Sequence, residues 1–364
     1  MKILNLIWKF GTGGIAKCFL TYAVLGKVQE GIEVFSVCID PQNCDYDRKP
    51  LEGAGVEIIS IKNNKDFSWM KKTRKLIRDT CPDVIFCHGF NGPIVVTMLK
   101  ICYGIEIPMI CSYHGAYYAP TLKKRWLERT FNGMMYFLYR YIAKKIVVVS
   151  EYSKCELVLH HVPANKLAVV HNGIENIDLN PSREMRNEVR IGVVSRLDPF
   201  KGIDVLITAL ESVRKMTDKP FVMDIVGNGP MEDKLRKSVK EAGLEHIVNF
   251  AGYQTNIAEW MEGWDIFCLP SFFENHSLSI LEAMRSGKAI VTTKVGGNEE
   301  SVTDDEQALT VAAKEPDSLA RALVKLIEDE ELRERLGHNA RGRFLNEFTE
   351  DIMKRNLIEV LTRW

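Results

Sequence analysis

Short β-rich apolar runs alternate with longer segments of helical periodicity twice along this chain. That alternation restricts it to parallel sheets with helices packed on both faces. In the first half the strand candidates are KILNLIW, IEVFSVCI, VEIISI, DVIFCHG, PMICSYH, KIVVVS and KLAVVH, with helical patterns at residues 14–29, 67–80, 92–103, 121–142 and 151–161. The pattern breaks at IENIDLNPSREMRNE, a polar stretch around Pro181 that reads as a linker. It restarts with VRIGVVS, FVMDIVG, IVNFAG, IFCLP, AIVTT and ALTV, between helices at 203–217, 230–242, 255–262, 277–286 and 316–328. At 364 residues the chain exceeds one ordinary core. The expectation is two doubly wound α/β domains, residues 1–178 and 186–340, followed by a helical tail at 341–364. Ligands of such sheets sit beyond the carboxyl ends of the strands, so the residues just after each strand carry the functional argument.

The run PSFFENHSLSILEAM, residues 270–284, is a strand end, a polar turn and a helix start. Glu274 lies in the turn and Glu282 among the apolar residues of the helix. A carboxylate there needs a partner. The amides of the first helical turn, near His276, Ser277 and Leu278, form an anion site. Carboxylates for sugar hydroxyls beside amides for phosphate suit a sugar nucleotide. The ordinary alternative is that Glu274 caps the helix and Glu282 pairs with a nearby Lys or Arg. VVSRLDPFKG places Arg196 and Lys201 around an Asp-Pro turn. They are either phosphate ligands or two surface cations. FGTGGIAK sets Gly11, Gly13 and Gly14 between the first strand and a helix. It is not GxGxxG and lacks a P-loop Lys-Ser/Thr, so it is a phosphate-approaching loop or a plain tight turn. His114 and His88 each follow a strand, where a lone histidine is most often structural.

Taken in order, FGTGGIAK, SYHGAYY, VVHNGI, VVSRLDPFKG, DIVGNGP, the Glu274-x7-Glu282 spacing and KVGGNEESV resemble the retaining GT-B glycosyltransferases of family 4, of the bacterial surface-polysaccharide type. The resemblance runs from about residue 3 to residue 301. It implies the GT-B fold: two Rossmann-like domains facing across a cleft, acceptor in the first, nucleotide-sugar donor in the second, with the tail returning to the first. It implies that Arg196 and Lys201 neutralise the donor diphosphate without a metal or other cofactor. By the same resemblance Glu274 holds sugar hydroxyls near C3 and C4, and Glu282 holds the ribose. The amides of His276, Ser277 and Leu278 meet the diphosphate, as do Gly13 and Gly14. His114 reaches the sugar near C6, Tyr253 frames the base, and His88 is a second-rank cleft residue. Many family members have Glu-Gly-Phe-Gly where this chain has Glu274-Asn275-His276-Ser277, which bears on sugar identity. Retention by double displacement needs a carboxylate nucleophile. With both glutamates engaged in binding, a same-face reaction with the leaving phosphate as base is expected.

No apolar run reaches the roughly 18 residues of a membrane span. MKILNLIWKF lacks a small-residue cleavage site and reads as a first strand rather than a leader. Nine cysteines without paired spacing suit reduced thiols of a cytoplasmic protein. Asp45-Tyr46-Asp47 matches a DxD metal motif but sits in a polar, Pro-bounded loop, and is read as a solvated turn. The net charge of zero hides an asymmetry: residues 1–178 carry 23 Lys+Arg against 16 Asp+Glu. That excess points to an anionic partner. Nucleic acid is set aside in favour of an anionic membrane face or a lipid-linked glycan acceptor, with the basic aromatic stretch 121–145 as the contact. Two other classes share these features. A GT-B nucleotide-sugar 2-epimerase would release an epimer with no acceptor. A non-catalytic nucleotide-binding scaffold would tolerate loss of Lys201.

Overall fold

The computed structural model describes residues 1–11, 14–25, 30–41, 48–62, 66–115, 125–177 and 187–364. The chain divides into two compact units, residues 1–172 together with 353–364, and residues 173–352.

In chain order the first unit contains β1 (Lys2–Trp8), α1 (Gly14–Ala23), β2 (Glu33–Pro41), α2 (Lys49–Gly53), β3 (Glu57–Ile61), α3 (Ser68–Thr80) and β4 (Val84–His88). Then come α4 (Asn91–Tyr103), β5 (Met109–Tyr113), α5 (Arg125–Tyr141), β6 (Lys145–Val148), α6 (Glu151–Leu159) and β7 (Leu167–Val169). The seven strands pair in the order β3-β2-β1-β4-β5-β6-β7, every pair parallel. This is a doubly wound sheet whose order reverses between β1 and β4. Side chains of β1 alternate across it. Leu4 and Leu6 join a core with Val96, Leu99 and Ile146 on one face, while Ile3 packs with Phe86, Ile110 and Val147 in a separate core. Helix starts follow local chemistry: Ser150 caps α6 by accepting from the Ser153 amide at 3.1 Å, an interaction of about 1 kcal/mol.

The second unit contains β8 (Val189–Val194), α7 (Ile203–Met216), β9 (Phe221–Val226), α8 (Glu232–Glu241), β10 (Val248–Gly252), α9 (Ile257–Gly263) and β11 (Ile266–Leu269). It continues with α10 (Leu278–Arg285), β12 (Ala289–Thr293), α11 (Asn298–Ser301), β13 (Ala308–Val311), α12 (Pro316–Glu328) and α13 (Glu330–Glu347). Its six parallel strands run β10-β9-β8-β11-β12-β13, again reversing beside the first strand. Asp224, buried in β9, is held by Trp264 Nε1 at 2.9 Å and Asn249 Nδ2 at 2.9 Å. A buried carboxylate is tolerated with that degree of hydrogen bonding.

In the tail, Phe344 and Phe348 complete the core of the second unit. Helix α14 (Glu350–Thr362) places Met353, Leu357, Ile358 and Leu361 against Ile3, Tyr22 and Val84 of the first. The short helices α2 and α11 have no counterpart in the sequence reading, because one turn is too short to show a period. The Asp45–Asp47 turn and the linker around Pro181 lie outside the described residues. All described cysteines are free, and Cys18, Cys38, Cys87, Cys111 and Cys268 are buried. No described helix is long and apolar enough to cross a membrane.

Candidate active site

The loops that follow β8, β11 and β12 interlock at the carboxyl edge of the second sheet. Gly202, the last residue before α7, has φ +68°, and a Cβ there would sit 2.1 Å from the Pro270 carbonyl oxygen. At Gly297 a Cβ would sit 1.7 Å from the Asn275 carbonyl oxygen. Only glycine allows these approaches. They bring Lys201, Ser271 and Glu274 into one place.

Lys201 Nζ donates to Glu274 Oε1 at 2.6 Å, and Ser271 Oγ donates to the same oxygen at 2.7 Å. The ion pair is mostly shielded, its side chains 19% and 10% exposed. The Gly297 amide donates to the Glu274 carbonyl at 3.1 Å. Thr293 Oγ donates to the Ser271 carbonyl at 2.5 Å, so β12 fixes the turn from the side. Both side-chain hydrogen bonds to the Glu274 carboxylate fall on Oε1, and Oε2 has none from a described residue.

Arg196 lies on the same turn as Lys201, but the two head groups take different partners. Its guanidinium pairs with Asp198, 3.1 Å from Nε to Oδ2, and its side chain is 73% exposed. Ser277 is the cap of α10, accepting from the Ile280 amide at 3.4 Å. Glu274 therefore does not cap the helix. The His276 ring is buried, with Nε2 3.4 Å from Ser301 Oγ and its centroid 5.5 Å from that of Phe348. Of His276 the backbone amide, rather than the ring, remains a candidate for ligand contact. Leu278 opens α10 and packs against the core. Glu282 is buried one helical turn before Arg285. Burial lowers the Arg285 guanidinium below its ordinary value while the Glu282 charge opposes that shift. Tyr253, just past β10, is 54% exposed.

In the first unit His114 follows β5. Burial lowers its imidazole to about 4, so it is neutral at pH 7. Its Nε2 has no hydrogen-bond partner among the described residues. Gly14 is exposed at the start of α1, and Gly13 lies outside the described residues. His88, expected at the cleft, is instead a core residue, 1% exposed. Asn5 Nδ2 donates to Ser36 Oγ at 3.0 Å and to the Phe19 carbonyl at 3.4 Å. A carbonyl only accepts, so Asn5 turns Oδ1 toward His88 Nε2, 2.6 Å away. Nε2 then carries the proton, and Nδ1 accepts from Ser112 Oγ at 2.8 Å. Burial, with the nearby His114 adding to it, holds the His88 imidazole well below its ordinary value. Both nitrogens are engaged, and its part is structural.

Two residues near the site escaped the sequence reading. Ser271 lay inside the run already singled out, and the Ser-x-x-Glu spacing lets a hydroxyl reach back across a turn. Lys314, with φ +65°, holds its ammonium 5.2 Å from the Phe272 ring centroid. It comes from beyond β13, with no local signal.

The fold is that of a protein of two doubly wound α/β units, the second with charged side chains gathered at the carboxyl edge of its sheet. Residues 23–176 match the model described as Glycosyltransferase Family 4, and residues 176–343 match that described as Glycosyl transferases group 1. The chain belongs to the GT-B glycosyltransferases. It is 27% identical to an uncharacterized glycosyltransferase of Methanocaldococcus jannaschii, over 99% of this chain and 97% of that one. It is 26% identical, over 94% of each chain, to the N-acetylgalactosamine-N,N'-diacetylbacillosaminyl-diphospho-undecaprenol 4-alpha-N-acetylgalactosaminyltransferase of Campylobacter jejuni. Among solved structures, Anabaena HepE in complex with UDP and glucose superposes with a TM-score of 0.81 over 100% of both chains at 20% identity, a likeness of fold.

Proposed function

We propose that the protein is a retaining glycosyltransferase. It moves a hexosyl or N-acetylhexosaminyl group from a nucleotide sugar, a UDP-sugar in the first instance, to a hydroxyl of a lipid-linked or cell-surface glycan. The observation that carries this reading is the Lys201–Glu274–Ser271 cluster at the carboxyl edge of the second sheet, with its distances of 2.6 and 2.7 Å. Glu274 Oε2 accepts from sugar hydroxyls. Lys201, Arg196 and the first amides of α10 face the diphosphate and stabilise the charge that grows on it. Glu282 takes the ribose, Tyr253 the base, Gly13 and Gly14 the diphosphate, and neutral His114 the C6 hydroxyl. The bond from C1 to the diphosphate oxygen breaks, the bond from C1 to the acceptor oxygen forms on the same face, and the acceptor proton passes to the leaving phosphate. Cationic side chains neutralise the diphosphate, so no metal is required. The UDP and glucose in HepE and the lipid diphosphate named for the Campylobacter enzyme support the donor and acceptor classes. The enzyme acts in the cytoplasm at the inner face of the membrane, where such acceptors are assembled.

The test is thermal unfolding with UDP-, GDP-, ADP- and dTDP-sugars, with and without EDTA, alongside a Glu274→Ala/Lys201→Ala variant. A ligand at 100 times its Kd adds about 2.7 kcal/mol. One nucleotide sugar should raise the transition, EDTA should leave the shift intact, and the variant should lose it. A shift retained by the variant places the donor elsewhere.

A further inference from the structure

Helix α5 is apolar on two opposite faces. One face is accounted for by Met135, Leu138 and Tyr139, which pack in the core of the first unit. The other carries Trp126, Met134, Phe137 and Tyr141, spaced so that they fall on one stripe. Trp126, Phe137 and Tyr141 are 64%, 55% and 59% exposed, and the rings of Phe137 and Tyr141 lie 4.9 Å apart. Exposed single apolar residues are ordinary, but four large ones aligned on one helix face are not.

The charges beside the stripe identify what covers it. Residues 125–145 hold five Lys+Arg and one Asp+Glu. Arg129 and Arg140 are exposed along one flank of the stripe, and Lys144 is exposed just past its end. The Arg140 guanidinium lies 5.3 Å from the Tyr141 ring centroid. A second copy of this chain would bring like charge against like charge. An anionic surface does not, and aromatic side chains flanked by cations are the composition that settles at the boundary of an anionic bilayer. Direction along the helix agrees. Phe131 packs on Phe90, two residues past β4, at 5.9 Å. With about 1.5 Å of rise per residue, Trp126 stands roughly 7 Å further on. The leading turns of α5 thus project past the carboxyl edge of the first sheet, the edge where β5 delivers His114.

We propose that the outer face of α5 docks on an anionic lipid bilayer, with Trp126, Met134, Phe137 and Tyr141 entering the headgroup boundary and Arg129, Arg140 and Lys144 meeting lipid phosphates. This rests on the lipid-linked acceptor proposed above and names the surface that would meet it. Sedimentation with vesicles of equimolar phosphatidylglycerol and phosphatidylcholine, and with phosphatidylcholine alone, tests it. The protein should sediment with the anionic vesicles at low salt and not with the neutral ones. Binding should fall at ~1 M salt, where the screening length is about 3 Å. Trp126→Ser/Phe137→Ser should lower partitioning at least tenfold, and Arg129→Glu/Arg140→Glu should remove the anionic preference. Both variants alter exposed side chains, so each should keep the wild-type melting temperature and donor-induced shift. That separates failure of docking from failure of the donor site. A wild-type protein that stays in the supernatant with anionic vesicles, or variants that bind as wild type, would overturn the proposal. So would a stable dimer that Trp126→Ser/Phe137→Ser converts to monomer.

Discussion

Ser271→Ala isolates one hydrogen bond at the centre of the site. Ser271 is fully buried and its hydroxyl donates at 2.7 Å to the oxygen of Glu274 that Lys201 also holds. Two donors on Oε1 hold the carboxylate in place, and on the proposed reading Oε2 is left for the sugar. Removing the hydroxyl deletes a hydrogen bond to a charged group, about 1.5–3 kcal/mol. Lys201 still holds the oxygen, so the lower part of that range applies, about 1.5–2 kcal/mol, or roughly 13–30-fold in kcat/KM. The Thr293 bond is to the Ser271 main chain, so the turn persists, and the lost hydrogen bond should lower the melting temperature by only roughly 3–8 °C. The assay is steady-state transfer with the donor identified by thermal shift, run as a cycle of Ser271→Ala, Glu274→Ala and the double variant. If Ser271 acts through Glu274, the double variant is no worse than Glu274→Ala alone. Equal penalties from Ser271→Ala with and without Glu274, or wild-type kinetics in Ser271→Ala, would refute the reasoning.

Two further outcomes follow from the geometry. Gly297→Ala drives a Cβ into the Asn275 carbonyl; overpacking of this kind costs about 1–3 kcal/mol, so calorimetry should show a melting transition roughly 2–10 °C lower, with weaker donor binding. His114, at about 4 in the folded protein against about 6.5 unfolded, binds its proton more readily when unfolded. Its contribution is present in full above about pH 6.5 and is lost as pH falls toward 4, at most about 3 kcal/mol. His114→Gln should therefore lose less stability than wild type between those pH values, read as melting temperature against pH.

The sheets and most helices were legible because parallel strands and their crossover helices leave strong, alternating periods in sequence. Helix α12 spans the residues its pattern marked, 316–328, and β12 likewise spans AIVTT. The charged residues of the proposed site were legible as candidates because they sit just after strands. What the sequence could not reveal is which charge meets which. Lys201 and Glu274 are 73 residues apart, and their pairing depends on how Gly202 and Pro270 approach, a contact with no local pattern. His88 and His114 look alike in sequence, each a histidine ending a strand. They differ because Asn5 and Ser112 stand on neighbouring strands to occupy both nitrogens of one and nothing described occupies Nε2 of the other. His276 was read for its amide alone, since Phe348, its ring neighbour, lies 72 residues downstream.

The Lys201–Glu274 pair also bears on how one cation serves two parts of a donor. An ammonium has three donors and no directional fork. Glu274 Oε1 takes one at 2.6 Å, which leaves two for phosphate oxygens. On the proposed reading a single side chain then holds the carboxylate that orients the sugar and meets the diphosphate that departs from it. Sugar and leaving group are registered to each other through one nitrogen, across the C1–O bond that breaks. As charge moves onto the diphosphate, the attraction of Lys201 for it grows while Glu274 remains anchored by Ser271. The interaction is then stronger in the transition state than in the ground state, which is the condition for a binding contact to raise kcat. An arginine at position 201 would present its donors in a planar fork instead, suited to one bidentate partner and less suited to this division between a carboxylate and a phosphate.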